Sequence, residues 1–248
     1  MSDTSIQLYS TRKFPPLSDI LSLVSSVGLK NVEGYGGLLQ DVPTMCAGLD
    51  AAGLSMPSAH IGLDMLADIP AVVATARTLG ISRVICPSIP MDRRSQPDAE
   101  WVALAAQLDG IGKALKDAGL RFGWHNHTFE FAQTERGRLP IDILFEGAPD
   151  LEWQMDLAWV VRAGQTPADW MDRYGARITA LHVKDLAPQG EAADEDGWAD
   201  LGHGTVPWPE MMQAAREKTA ASLFVLEHDN PSDAARFVTR SFATLQSL

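Results

Sequence analysis

"SRVICPSIPMDRRSQPDAEWVALAAQLDGIGKALKDAGLRFGWHNH", residues 82–127, holds one structural repeat and the start of the next. "SRVICP" (82–87) is a short apolar run, and "DAEWVALAAQLDGIGKALKDAG" (98–119) has helical periodicity closed by a glycine. "RFGWHNH" (121–127) then reads as a second strand. Strand, helix, strand in close succession is the unit from which parallel sheets are built.

The unit repeats in both directions. Towards the N-terminus, "IQLY" (6–9) precedes "LSDILSLVSSVG" (17–28), where Ser18 is a suitable N-cap and Gly28 a stop. "NVEG" (31–34) precedes "VPTMCAGLDAAG" (42–53), and "LSMPSAH" (54–60) precedes "IPAVVATARTLG" (69–80). Towards the C-terminus, "RFGWHNH" precedes "PIDILFEGA" (140–148), and "LEWQMD" (151–156) precedes "TPADWMDRYG" (166–175). "ITALHVKD" (178–185) precedes "WPEMMQAAREKT" (208–219), and "SLFVLEHD" (222–229) precedes "PSDAARFVTRSFATL" (231–245). Glycines at 28, 53, 80, 119 and 175 punctuate the helix ends. Strict alternation predicts a parallel sheet, and this many units in a chain of this length predict a closed (β/α)₈ TIM barrel rather than a doubly wound open sheet. No linker divides the chain, so one domain is expected over residues 1–248. The conspicuous long connection is 186–207, after the seventh strand.

The composition narrows the function. At 46% hydrophobic and 21% charged residues, the 248-residue chain is of ordinary globular type. A net charge of −12 opposes attraction to phosphate backbones or anionic lipid, so no nucleic-acid or membrane partner is expected. No apolar run approaches the roughly 18 residues of a membrane span. "MSDTSIQLYSTRKFPP" lacks the profile of a signal peptide, and Cys46 and Cys86 make no CxxC motif. The expectation is a cytoplasmic protein with a small-molecule partner, for which a homo-oligomer is left open. Both cysteines read as small buried hydrophobes.

In such a barrel the chemistry lies at the C-terminal ends of the strands. Those ends carry His60; His125, Asn126 and His127, with Glu130 close behind; Asp156; His182, Lys184 and Asp185; and Glu227, His228 and Asp229. Residues two apart on a strand share a face, so His125 goes with His127, Gln154 with Asp156, and His182 with Lys184. Glu227 points in and His228 out. The inward set Glu130, Asp156, His182 and Glu227 offers three carboxylates and one imidazole, which suits one divalent ion: Mn²⁺ first, with Mg²⁺, Co²⁺ or Zn²⁺ as alternatives. Three clustered carboxylates without a cation would repel one another. A lone Asp at a strand end is commonly a helix cap, and a lone His on an apolar strand a satisfied core residue. Such readings compete at each position but do not account for a series of them with one facing.

Several stretches together resemble the sugar phosphate isomerase/epimerase family, the xylose isomerase-like TIM barrels related to the type IV AP endonucleases. They are "IQLYSTR" (6–12), "NVEGYGG" (31–37), "AAGLSMPSAH" (51–60), "GWHNHTFEF" (123–131), "MDLAWVVRAG" (155–164), "ALHVKDLAP" (180–188), "GWADLGHGTVPW" (197–208) and "VLEHDNPSD" (225–233). The resemblance implies one divalent metal held by a Glu, Asp, His, Glu set, carried here onto Asp156, His182 and Glu227. Many members have glutamate where this chain has His125. The first ligand is therefore either Glu130, reaching back from its loop, or His125 itself. The extra ligands of the three-metal endonucleases are missing at the matching positions. "LGHG" (201–204) also departs from the family pattern, leaving His203 without a role.

The implied activity is that of an isomerase or epimerase of carbohydrate metabolism. A metal bound to the carbonyl and a neighbouring hydroxyl of a keto-sugar eases loss of the adjacent proton to give an enediolate. Glu130 and Glu227 are the candidate acid/base pair, with His60, His125, His127 and Lys184 binding substrate. Trp124, Trp159 and Phe129 offer apolar faces to a sugar ring or pack the barrel. A lyase or dehydratase acting on a 3-keto-glycoside or inosose begins with the same proton abstraction. A non-catalytic sugar-binding or partner subunit is the rival of another class. Phosphorylated substrates are not expected, because no Gly-rich phosphate loop with basic support follows the last strands.

Overall fold

The elements run in chain order as β1 (Asp3–Ile6), α1 (Leu17–Ser26), β2 (Asn31–Tyr35), α2 (Val42–Ala52), β3 (Ser55–His60), α3 (Ile69–Leu79), β4 (Arg83–Cys86) and α4 (Asp98–Asp117). Next come β5 (Arg121–His125), α5 (Pro140–Gly147), β6 (Glu152–Asp156), α6 (Leu157–Arg162), α7 (Pro167–Tyr174) and β7 (Ile178–Val183). The chain closes with β8 (Asp185–Leu186), β9 (Trp198–Ala199), α8 (Trp208–Lys218), β10 (Leu223–Leu226) and α9 (Ala234–Ser247). This computed structural model describes residues 3–248; Met1 and Ser2 lie outside the described residues. Eight strands form one sheet in the order β1-β10-β7-β6-β5-β4-β3-β2, every pairing parallel. A parallel bridge between Gln7 and Glu33 joins its two ends, and the result is a (β/α)₈ barrel.

The strands read as apolar runs because both faces are covered, one by the barrel interior and one by helices. β7 is buried at all six positions. α4 shows the matching helical stripe: Trp101, Leu104, Ala105, Leu108, Ile111 and Leu115 are buried, at spacings of three and four. Side-chain caps start several helices. Asp41 accepts from Thr44 N, Asp68 from Ala71 N and Asp233 from Arg236 N.

Five details of the local structure differ from the pattern reading. β1 ends at Ile6 rather than covering 6–9, because the Gln7 side chain accepts from Tyr9 N and turns the chain into a 3₁₀ turn. Pro16, not Ser18, holds the N-cap position of α1. The sixth strand is followed by two helices, the first capped by Asp156 through Trp159 N. The long connection pairs with the end of the seventh unit as the β8–β9 hairpin. Gly175 stops no helix by a left-handed turn: its φ is −51°, and a Cβ there would meet the Lys218 carbonyl oxygen at 1.9 Å. Close backbone approach explains that glycine.

Candidate metal centre and substrate cavity

Four strand ends converge at the mouth of the barrel. His125 closes β5 and Asp156 closes β6, His182 is the penultimate residue of β7, and Glu227 follows β10. Each offers one donor atom, and the four atoms lie within 4.8 Å of one another; His60, His125 and His182 meet the same limit. Asn126 fixes the first two in place. Its Oδ1 accepts from Asp156 N at 2.9 Å and Trp153 Nε1 at 2.8 Å, while its Nδ2 donates to Asp156 O at 3.2 Å. The Asp156 cap leaves Oδ1 engaged and turns Oδ2 inward.

Beneath this layer sits Glu33 on β2, fully buried and not singled out by strand-end reasoning. Its Oε1 accepts from Gln7 and lies 2.7 Å from His182 Nε2 and 3.1 Å from His60 Nε2. Its Oε2 accepts from Ser58 Oγ and Gln154 Nε2, both at 2.6 Å. Burial would raise the Glu33 carboxyl, but His60 and His182 hold it well below its ordinary value. The other ring nitrogen of His182, Nδ1, is 2.9 Å from Glu227 Oε2. Burial opposes charge on His182, yet Glu227 and Glu33 push its pKa up to about 10.

Lys184 is fully buried beside the cluster and does not line the cavity described below. Its Nζ lies 2.9 Å from Glu227 Oε2, 2.7 Å from Asp229 Oδ2 and 3.1 Å from Asp156 Oδ2. The Trp159 and Trp198 rings lie 4.8 and 4.3 Å from it. Glu227 and Asp229 accept two of its three donors, and the third lies towards Asp156. Burial works against its charge, but Asp156, Asp229 and Glu227 hold its pKa above the ordinary value.

Glu130 stands apart from the cluster. It lies in the turn Phe129–Phe131, fully buried, with Oε1 accepting from Trp124 Nε1 at 3.0 Å and Oε2 from His127 N at 2.8 Å. It neither joins the four clustered donors nor lines the cavity. Burial pushes its carboxyl up to about 8. Of the two alternatives for the first ligand position, the one the geometry brings to the cluster is His125. Trp124 is likewise a packed wall residue. Trp159 stands over Lys184 and beside His127, and Phe129 stacks on His127.

Above the cluster opens a cavity of about 330 Å³. His60, His125, His127 and Glu227 line it, and so do Tyr9, Tyr35, Arg94 and Asp229, which carried no assignment from sequence. His125 and His127 thus reach one space, as alternation predicts, although the strand itself ends at His125. Burial keeps both imidazoles well below their ordinary pKa, His127 at about 3. His203 is exposed. The "LGHG" glycines serve the backbone instead: Gly202 has φ +78°, and a Cβ on Gly204 would meet Leu186 O at 2.3 Å. Asp185 gathers that loop, accepting from Leu186, Gly202 and Val206 amides and from Trp208 Nε1.

The donor set fits a divalent cation. Asp156 Oδ2 is buried and near Lys184, but off the hydrogen-bond direction. It and His125 Nδ1 have no hydrogen-bond partner among the described residues. Buried unpartnered acceptors are costly unless something binds them. Two carboxylates and two imidazoles are ordinary donors for a first-row divalent ion.

Residues 31–247 match the family model described as xylose isomerase-like TIM barrel. The chain belongs to that family. Part of it is 31% identical to an inosose dehydratase of Lacticaseibacillus casei, over 107 residues. That segment is 42% of this chain and spans 34% of the dehydratase, so the chain matches only about a third of that curated relative's length. A solved sugar phosphate isomerase/epimerase from Parabacteroides distasonis has the same fold, with TM-score 0.81 and 20% identity, over 99% of this chain and 94% of that one. The IolI protein, solved with a bound zinc atom, superposes with TM-score 0.75 and 12% identity, over 100% and 97% of the two chains.

Proposed function

We propose that the protein is a metal-dependent carbohydrate isomerase or epimerase that removes a proton from the carbon beside the carbonyl of a keto-sugar. The observation that carries this reading is the convergence of His125, Asp156, His182 and Glu227 beside a cavity that His125 and Glu227 line with other polar and aromatic side chains. These four residues would hold one divalent ion, which supplies Lewis acidity when bound. Everything else falls to the chain. Glu227, on the floor and reaching the cavity, is the base that takes the proton. His60 and His127 bind substrate hydroxyls, and the Tyr9 and Tyr35 rings flank the substrate's apolar faces. Lys184 does not touch substrate in this reading; it holds Glu227, Asp229 and Asp156 in one arrangement. The cavity volume is at the small end of the range for ligand pockets, in keeping with a single sugar ring.

A second reading, β-elimination that expels water from an inosose or the aglycone from a 3-keto-glycoside, has two observations behind it. Epimerisation is served by a matched base on each side of the carbon. Here the side of the ring across from β10, formed by β3, β4 and β5, brings His60, His125 and His127 to the cavity and no carboxylate. The relative from L. casei is named as a dehydratase. Both readings share the first step, so one experiment tests it. Metal-loaded protein is incubated with keto-hexoses, inososes and 3-keto-glycosides in deuterated water. Deuterium should enter beside the carbonyl, with loss of water from an inosose or of the aglycone from a 3-keto-glycoside if elimination follows. Glu227→Gln, which keeps the shape but loses the basicity, should abolish exchange even in excess metal. If no sugar exchanges with the wild type, the proton-transfer reading fails and a sugar-binding subunit becomes the better account.

A further inference from the structure

Mn²⁺ is the ion expected of three carboxylates and one imidazole, whereas the geometry brings together two of each. The remaining carboxylates nearby are committed elsewhere. Glu130 is held by Trp124 and His127 N, Glu33 by Gln7, Ser58, Gln154 and the two imidazoles, and Asp229 by Lys184. His125 instead presents its ring among those of His60 and His182, at centroid distances of 5.0 and 4.5 Å. It is 2% exposed, and its Nδ1 has no partner among the described residues.

Two consequences follow for any ion at this floor. The anionic charge facing it is that of Asp156 and Glu227 alone, and the Lys184 ammonium stands within 3.1 Å of both. Hard ions such as Mg²⁺ and Mn²⁺ depend on oxygen donors and on charge. Borderline ions draw more of their binding from imidazole nitrogen. We propose that His125 turns this centre into a nitrogen-rich site selective for borderline ions of the Zn²⁺, Co²⁺ and Fe²⁺ class over Mg²⁺ and Mn²⁺. The proposal rests on the metal reading above.

The test uses full-length protein stripped with a chelator and titrated separately with Zn²⁺, Co²⁺, Mn²⁺ and Mg²⁺ in competition with a chromophoric chelator. Nearly every site favours Co²⁺ and Zn²⁺ over Mn²⁺, so the gap alone does not decide. The decisive quantity is its change in His125→Glu. That variant should narrow the Co²⁺/Mn²⁺ affinity ratio about tenfold or more, chiefly by strengthening Mn²⁺. An unchanged ratio, or a wild type that prefers Mn²⁺, overturns the proposal while leaving a metal centre in place. Failure of all four ions to bind the wild type overturns the metal reading itself. Should His125→Glu fail to fold, hyperfine-shifted imidazole N–H resonances of the wild type with Co²⁺ decide instead. Signals from at least two liganding rings support the proposal, and a single ring overturns it.

Discussion

Glu33 holds the innermost position of the site. It accepts from Nε2 of His182, so that a metal ion would displace the proton of Nδ1, the nitrogen directed at Glu227, and leave the one on Nε2. Glu33→Ala should therefore lower divalent-metal affinity about 10–100-fold, measured by competition titration. Affinity equal to wild type would mean that Glu33 only fills the barrel. The same residue marks where sequence reasoning stopped. Asp156, His182 and Glu227 were legible because each ends an apolar run at the face that a period of two assigns to the interior. Glu33 lies within a strand, and its meaning depends on Ser58 and on His182, which is 149 positions away. The direction of Glu130 was not legible because a 3₁₀ turn sets it rather than strand alternation. The three carboxylates around Lys184 were not legible either, since alternation assigns a face and not the partners met there.

Between residues and barrel, single polar side chains tie neighbouring elements together. Asn126 joins the end of β5 to β6 through three buried hydrogen bonds. Asn126→Ala would strand Trp153 Nε1 and Asp156 N as unpaired buried donors. It should lower stability by about 2–4 kcal/mol in chemical denaturation, since each unsatisfied group costs about 1–3 kcal/mol. A loss under about 1 kcal/mol would mean that water or a side-chain shift replaces it. Glu195 plays the equivalent part for the long connection, accepting from Ser232 N at 2.7 Å and Arg236 Nη2 at 2.9 Å. Burial tends to raise its carboxyl, but these partners bring it down to about 2. Because the folded pKa lies below the ordinary value of about 4.5, the unfolded chain binds this proton first as pH falls. Its stabilisation should be complete above about pH 5 and disappear between about 4.5 and 2. Glu195→Gln should flatten that part of the pH–stability curve, and a curve parallel to wild type would contradict the pairing. The pairing was not legible in sequence, where 186–207 reads only as a long connection.

At the scale of the molecule, regular alternation of apolar runs and glycine-stopped helices was enough to read a closed parallel barrel. Each βα unit repeats the same local instruction, and errors of one or two residues at a boundary do not change the topology. Closure itself rests on contacts that no local pattern carries, such as the bridge between Gln7 and Glu33. Among the described residues no helix is long and apolar enough to cross a membrane. The barrel brings donors from four strands to one point, so the central claim is that this point holds a single divalent ion. Elemental analysis of chelator-stripped and reloaded protein, followed by anomalous diffraction at the metal edge, tests it most directly. The account predicts about one ion per chain at the barrel mouth, with His125, Asp156, His182 and Glu227 at roughly 2.0–2.2 Å if zinc is used. Three ions per chain, or one bound away from these four residues, would contradict it.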